Sequence, residues 1–209
     1  MNQTTKELLN LIQKSTSPYH TVAASKELLL ANGFTQLSLG EDWTLAPESK
    51  YFVTVFDSTL FAFRTGTAGS RGLKIAAAHT DFPCFRLKPA AEVSTQGYGT
   101  LNVEGYGGMI VSTWMDRPLS LAGKIVTRTS DPFKPQTHLV DFKRPLLSMS
   151  SLAIHMNREV NDGYKWNKQK DVLPLATMLG EDPEDKHFFQ NFLAKELKAA
   201  PEDILSFEL

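Results

Sequence analysis

Apolar residues recur at helical spacing from the start of the chain. Leu8, Leu9, Leu11 and Ile12 make one stripe of a short helix that begins near Thr4 or Thr5. Ser17 then offers an N-cap with Pro18 at the first helical position, and Val22, Ala23, Leu28, Leu29 and Leu30 carry a second helix to Gly33. The spacing predicts a helical hairpin, with His20 in the first turn of its second helix as a capping or solvated residue. Trp43 and Leu45 are expected to anchor the connection that follows. The period then drops to two: residues 51–56 and 60–65 alternate and predict a β-hairpin joined by Asp57, Ser58 and Thr59. Residues 66–72 read as a flexible loop whose glycines lack the spacing of a phosphate-binding loop. Residues 73–78 form a short apolar run between Gly72 and Pro83, which predicts a strand buried on both faces.

Beyond Pro89 the texture changes. Gly97, Gly99, Gly105, Gly107, Gly108 and Gly123 punctuate β-prone runs at 100–103, 109–114, 119–129 and 138–142, with Pro132, Pro135 and Pro145 at turns. This pattern predicts a mostly β module. A helix is expected over 150–160, burying Leu152, Ala153, Met156 and Val160. Another is expected from Asp182-Pro183, with Glu184 and Asp185 in its first turn and Phe188, Phe189, Phe192, Leu193 and Leu197 inward. Residues 204–209 alternate like a strand.

Composition narrows the function classes. The 209 residues carry a formal net charge of -1, which gives no electrostatic reason to expect nucleic acid or an anionic membrane as partner. Cys84 is the only cysteine, so no intrachain disulfide can form and a reduced, cytoplasmic setting fits. The N-terminus lacks the basic start and apolar core of a signal peptide.

The chemistry gathers at the end of the run 73–78. In extended chain His79 and Asp81 point to the same side while Thr80 faces away, so the carboxylate can sit by the imidazole. That is the relation of a metal-binding histidine to its orienting acceptor, but by itself the pair reads first as a polar turn closing a buried strand. Elsewhere the residues read structurally. Cys84 is a small packing residue, His138 and His187 are surface residues, and Asp116 and Arg117 read either as a buried ion pair that fixes a turn above Trp114 or as substrate contacts. No Gly-x-Ser-x-Gly elbow marks a serine hydrolase.

The stretch Ala77-Ala78-His79-Thr80-Asp81-Phe82-Pro83-Cys84-Phe85-Arg86-Leu87-Lys88-Pro89 closely resembles the segment carrying the first metal ligand in the aspartyl aminopeptidases, the M18 metallopeptidases. Phe82 stands where that family commonly has Ser. Two further blocks resemble the family in its order: Tyr106-Gly107-Gly108 leading to Thr113-Trp114-Met115-Asp116-Arg117-Pro118-Leu119-Ser120-Leu121-Ala122-Gly123, and Leu152-Ala153-Ile154-His155-Met156-Asn157-Arg158. With Ser17-Pro18-Tyr19-His20 and Tyr51-Phe52-Val53, the resemblance runs over nearly the whole chain.

The resemblance implies an α/β fold: the start of a metallopeptidase layer over residues 1–88, interrupted by a β-rich inserted oligomerisation domain over 89–209. It implies a metal-dependent aminopeptidase, a homo-oligomer that removes acidic N-terminal residues from peptide substrates, with His79 as a metal ligand and Asp81 as the catalytic-site carboxylate that orients it. The complete family site holds two divalent ions; the ligand types suit Zn2+, with manganese or cobalt as alternatives. It also implies that His155 reaches a neighbouring subunit's active site and donates a hydrogen bond to the substrate carbonyl or its oxyanion. No segment matches the family's remaining acidic ligands, its Glu-Glu pair or its late His, and Glu181-Asp182 and Glu184-Asp185 do not resemble that pair. The 209-residue chain is therefore expected to be a truncated form, inactive alone. The alternative is an assembly module derived from such a peptidase.

Overall fold

The computed structural model describes residues 1–67, 72–180 and 186–209. The tip of the predicted glycine loop and the acidic helix start around Asp182-Pro183 lie outside them. The chain forms two compact units, Met1–Phe82 and Pro83–Leu209.

In the first unit, α1 (Gln3–Lys14) starts where the Asn2 side chain accepts from the Thr5 N–H at 2.8 Å. α2 (Pro18–Ala31) is capped by Ser17, whose hydroxyl accepts from the backbone N–H of His20 and also pairs with its Nδ1 at 2.8 Å. His20 is thus a capping residue, and Gly33 at φ +76° ends the helix. A three-stranded sheet follows: β1 (Thr35–Gln36) runs parallel to β2 (Lys50–Val55), which pairs antiparallel with β3 (Thr59–Arg64). Tyr51, Phe52 and Val53 are buried with Val22 and Ala24. Trp43 stacks on Phe63 at 6.2 Å between centroids.

The expected central strand is absent. Residues 72–79 have no ladder partner, and Leu73 and Ile75 are 90% and 82% exposed. A short apolar run has the propensity for a strand, but a strand is held by hydrogen bonds to its neighbours. Here β3 ends its sheet without reaching the run.

The second unit is β-rich. A long hairpin, β4 (Cys84–Thr95) with β5 (Tyr98–Tyr106), turns through Gln96 and Gly97, both at positive φ as a two-residue hairpin loop requires. β4 is continuous through Lys88–Pro89, with a register shift between Leu87 and Glu92 around the proline, which has no N–H to donate. The hairpin belongs to a five-stranded sheet ordered β4-β5-β10-β9-β6, with β6 (Pro118–Leu119), β9 (Leu147–Ser148) and β10 (Leu175–Met178). A second sheet is ordered β11-β7-β8, with β7 (Ala122–Thr127), β8 (Gln136–Asp141) and β11 (Ile204–Glu208). The sheets are tied where the Leu87 N–H donates to the Leu209 carbonyl at 2.9 Å. Leu101, Val103, Ile125, Met149, Val172 and Leu193 are almost wholly buried in the core between them, each worth roughly 1.5–3 kcal/mol of apolar transfer.

Four expectations in this unit change. Residues 109–114 form no strand: Val111–Trp114 is a 3-10 turn, entered after Gly107 at φ +72°, with the Thr113 hydroxyl donating to the Ile110 carbonyl at 2.7 Å. That local bond competes with a ladder. Residues 150–160 form successive turns, not a helix, and Leu152 and Met156 are 54% and 73% exposed. α3 (Phe188–Leu197) does bury Phe189 and Leu193, but its first N–H groups are capped from β4: Glu92 accepts from Phe189 N–H at 2.7 Å and Gln190 N–H at 3.0 Å. His187 stands beside that cap, and His138 is half-buried on Thr127 at 2.8 Å instead of lying free on the surface.

Gly123 decides whether β11 can seat. A Cβ there would fall on the Glu208 carbonyl and within 3.1 Å of the Leu209 Cα. Gly123→Ala should therefore destabilise the second unit by about 1–3 kcal/mol, the usual cost of overpacking. Amide exchange at residues 204–209 should rise first; unchanged protection and melting would contradict this account.

Candidate functional site

His79 sits where the extended segment bends. The Thr80 hydroxyl donates to the Ser58 carbonyl at 2.8 Å, pinning the bend to the β2–β3 turn. His79 Nδ1 lies 2.8 Å from Asp81 Oδ1, with the His79 side chain 88% exposed and Asp81 25% exposed. An ionised carboxylate can only accept, so Nδ1 carries the proton and the Nε2 lone pair faces out. This is the tautomer that binds a metal, with the carboxylate as its orienting partner. The pair fits one zinc ligand and its support. Among the described residues no three His, Cys, Asp or Glu side chains gather to hold an ion, whereas a zinc site takes about four ligands.

His155 belongs to the second unit and stands in an exposed turn, where Met156 N–H donates to the Ala153 carbonyl at 2.8 Å. Exposed Leu152, Ile154 and Met156 surround it in sequence. The expected anchoring of this segment by a buried helix face is replaced by two carboxylates. At its start, Ser151 N–H donates to Asp116 Oδ1 at 2.8 Å, while Asp116 N–H donates to the Met149 carbonyl at 2.8 Å. Beyond its end, Asp171 Oδ2 accepts from the Tyr164 hydroxyl at 2.9 Å and from Asn167 N–H at 2.7 Å. The Asp171 charge holds the Tyr164 phenol above its ordinary value of 10.0, chiefly through that hydrogen bond.

Asp116 thus differs from its expected role. It forms no buried pair with Arg117, whose guanidinium instead donates to the Thr113 carbonyl at 3.1 Å. Its backbone has φ +55°, tolerable for Asp. Hydrogen bonds from the Ser151 hydroxyl, then its N–H, hold the carboxyl below the ordinary 3.8. Trp114 packs edge-on against Phe85 at 5.2 Å, beneath the same turn. Gly107 makes the close backbone approach that paired glycines suggest, with a Cβ there only 3.4 Å from the Pro83 Cα. Ser151 carried no sequence signal as an anchor, because its contact with Asp116 spans 35 positions; the Tyr164 and Asn167 contacts with Asp171 are local, but no motif marks them.

Comparison with known proteins follows this geometry. Residues 11–209 match the family described as aminopeptidase I zinc metalloprotease (M18). A protein named "Probable M18 family aminopeptidase 2" from Clostridium acetobutylicum is 43% identical over 207 residues, 98% of this chain and 48% of the relative. An aspartyl aminopeptidase from Dictyostelium discoideum is 42% identical over 185 residues, 87% of this chain and 38% of the relative. A cryo-EM structure of the Ape4 and Nbr1 complex superposes with a TM-score of 0.84 at 33% identity, over 96% of this chain and 42% of that one. The chain therefore spans about half the length, or less, of these relatives.

The Asp116 bonds give a pH expectation. A carboxyl depressed in the folded state stabilises its contacts above the unfolded value near 3.8, and that contribution is lost as pH falls through the lower folded value. Ser151→Ala should move the Asp116 midpoint, read by NMR titration, upward toward 3.8, with the backbone N–H keeping part of the depression. An unmoved midpoint would remove the Ser151 hydroxyl as the cause.

Proposed function

The chain belongs to the M18 family of zinc aminopeptidases, and from that premise we propose that it forms part of a metal-dependent enzyme removing acidic N-terminal residues from peptides. The observation that carries this reading is the His79–Asp81 hydrogen bond, which leaves one imidazole nitrogen open at the position matching the family's first metal ligand. His79 Nε2 would hold a zinc ion, and Asp81 keeps the ring in the ligating tautomer and raises its basicity. Zinc, when bound, supplies the acidity that turns water into a nucleophile and polarises a carbonyl, in a site that takes two ions in the complete family. The substrate preference is supported by the likeness to an aspartyl aminopeptidase.

The remaining ligands and the general base are assigned to polypeptide other than residues 1–209, so this chain by itself is inactive. Residues 89–209, within the β-rich second unit, are the inserted oligomerisation domain, and the enzyme is a homo-oligomer; it works in the cytoplasm, for which the single cysteine, Cys84, with no possible intrachain disulfide, is the support. No described helix is long and apolar enough to cross a membrane. His155, exposed in its turn and without a hydrogen-bonding partner among the described residues, donates to the substrate carbonyl in a neighbouring copy.

Two outcomes follow. Purified chain should bind zinc weakly in calorimetry and show no turnover of an N-terminal Asp peptide; a rate of about 1 per second or more would overturn the assignment of missing ligands. In a polypeptide extended to the length of the M18 relatives, His155→Ala should retain zinc and oligomer size but lose roughly 10²–10³ in kcat, the cost of one oxyanion donor. Mixing it with a His79→Ala form should restore part of the rate, because some sites would then combine an intact metal centre with an intact His155 from the neighbour.

A further inference from the structure

We infer that Asp116 is a positioning residue for His155, a role that rests on the reading above in which His155 meets substrate. The segment carrying His155 has little packing of its own: Leu152, Ile154 and Met156 are exposed. Behind it lies a cavity of about 180 Å³ lined by Met115, Leu152, Val160, Tyr164 and Trp166, among others. Without an apolar face against the core, the path of the turn is set by its anchors, and the one nearest His155 is Asp116. The carboxylate accepts from the Ser151 N–H, and the Asp116 backbone N–H donates to the Met149 carbonyl, so one residue grips both sides of Ser150 at 2.8 Å each.

Asp116 is itself fixed. It follows a 3-10 turn, Val111–Trp114, whose Trp114 packs on Phe85 of β4, and Arg117 donates back to the Thr113 carbonyl. The positive φ of 55° aims the side chain at Ser151 in a backbone region that Asp, Asn and Gly accept and most residues avoid. The grip thus connects the core sheet to the base of the exposed turn. A donor in an oxyanion site must be placed within tenths of an ångström, and a misplacement near 1 Å costs about 100-fold in rate. An exposed turn held at one end by a carboxylate is where such a displacement would begin.

The test uses the zinc-loaded peptidase extended to the length of its M18 relatives, with each variant checked for melting temperature, zinc content and oligomer size. Asp116→Gly removes the carboxylate while keeping a residue at ease at positive φ; Asp116→Asn retains an oxygen acceptor for Ser151 N–H. We expect Asp116→Gly to lower kcat about 10–100-fold with KM little changed, Asp116→Asn to recover most of the rate, and amide exchange at Ser151 to quicken only in the Gly variant. On a His155→Ala background, Asp116→Gly should cost nothing further. Should Asp116→Gly not fold, Ser151→Ala serves the same comparison with a smaller, few-fold loss, since only one bond is removed. Full activity of the Asp116 variant while His155→Ala is impaired overturns the proposal, as does an equal further loss on the His155→Ala background. Full activity of His155→Ala alone would defeat the reading of His155 itself, and this role with it; that single control separates the two failures.

Discussion

Backbone N–H and C=O groups of an extended chain must find partners, and in this protein that requirement decides which apolar runs become strands. β7 is paired on both sides, by β11 and β8, and alternates strictly between buried and half-buried positions. Its second residue is a glycine, Gly123, because the end of β11 lies too close for a Cβ. The run 73–78 has better apolar continuity than most of the strands that do form, yet no neighbour supplies a ladder and its large side chains face solvent. Apolar content drives burial only where another surface is available to bury against.

Where strands and helices do not hold a segment, carboxylates do. Glu92 caps α3 from the far side of the sequence, replacing a local N-cap, a type of contact worth on the order of 1 kcal/mol. Asp116 and Asp171 fasten the two sides of the turn-rich region that contains His155. Asp81 fixes the ring of His79. Each accepts from N–H or O–H donors that the local backbone leaves unpaired, and charge strengthens each bond. The residues proposed for the site are therefore set by polar anchors at the margins of the sheets, in segments that the apolar cores do not control.

This division leaves both candidate histidines, His79 and His155, outside the strands and helices. The cores hold the sheets, while His79 stands exposed beside Asp81 and His155 stands in an exposed turn among apolar neighbours.

Local pattern determined much of this chain. Asn2 lies just before the first helix, Ser17-Pro18 opens the second, the 51–65 alternation is a hairpin, and His79 and Asp81 share a side at a spacing of two, because caps, period and side-chain alternation are properties of neighbours in sequence. The motif blocks likewise carried the family. What tertiary structure decided lies in contacts between distant residues. The apolar pattern of 150–160 suits a helix face, but Leu152 and Met156 stay exposed in successive turns, and Asp116 accepts from the Ser151 N–H 35 positions away. Pairing Asp116 with Arg117 was the natural reading of adjacent opposite charges; the positive φ at Asp116 turns its carboxylate toward Ser151 instead. Sequence spacing specifies which residues share a face, and only the folded chain specifies what that face meets.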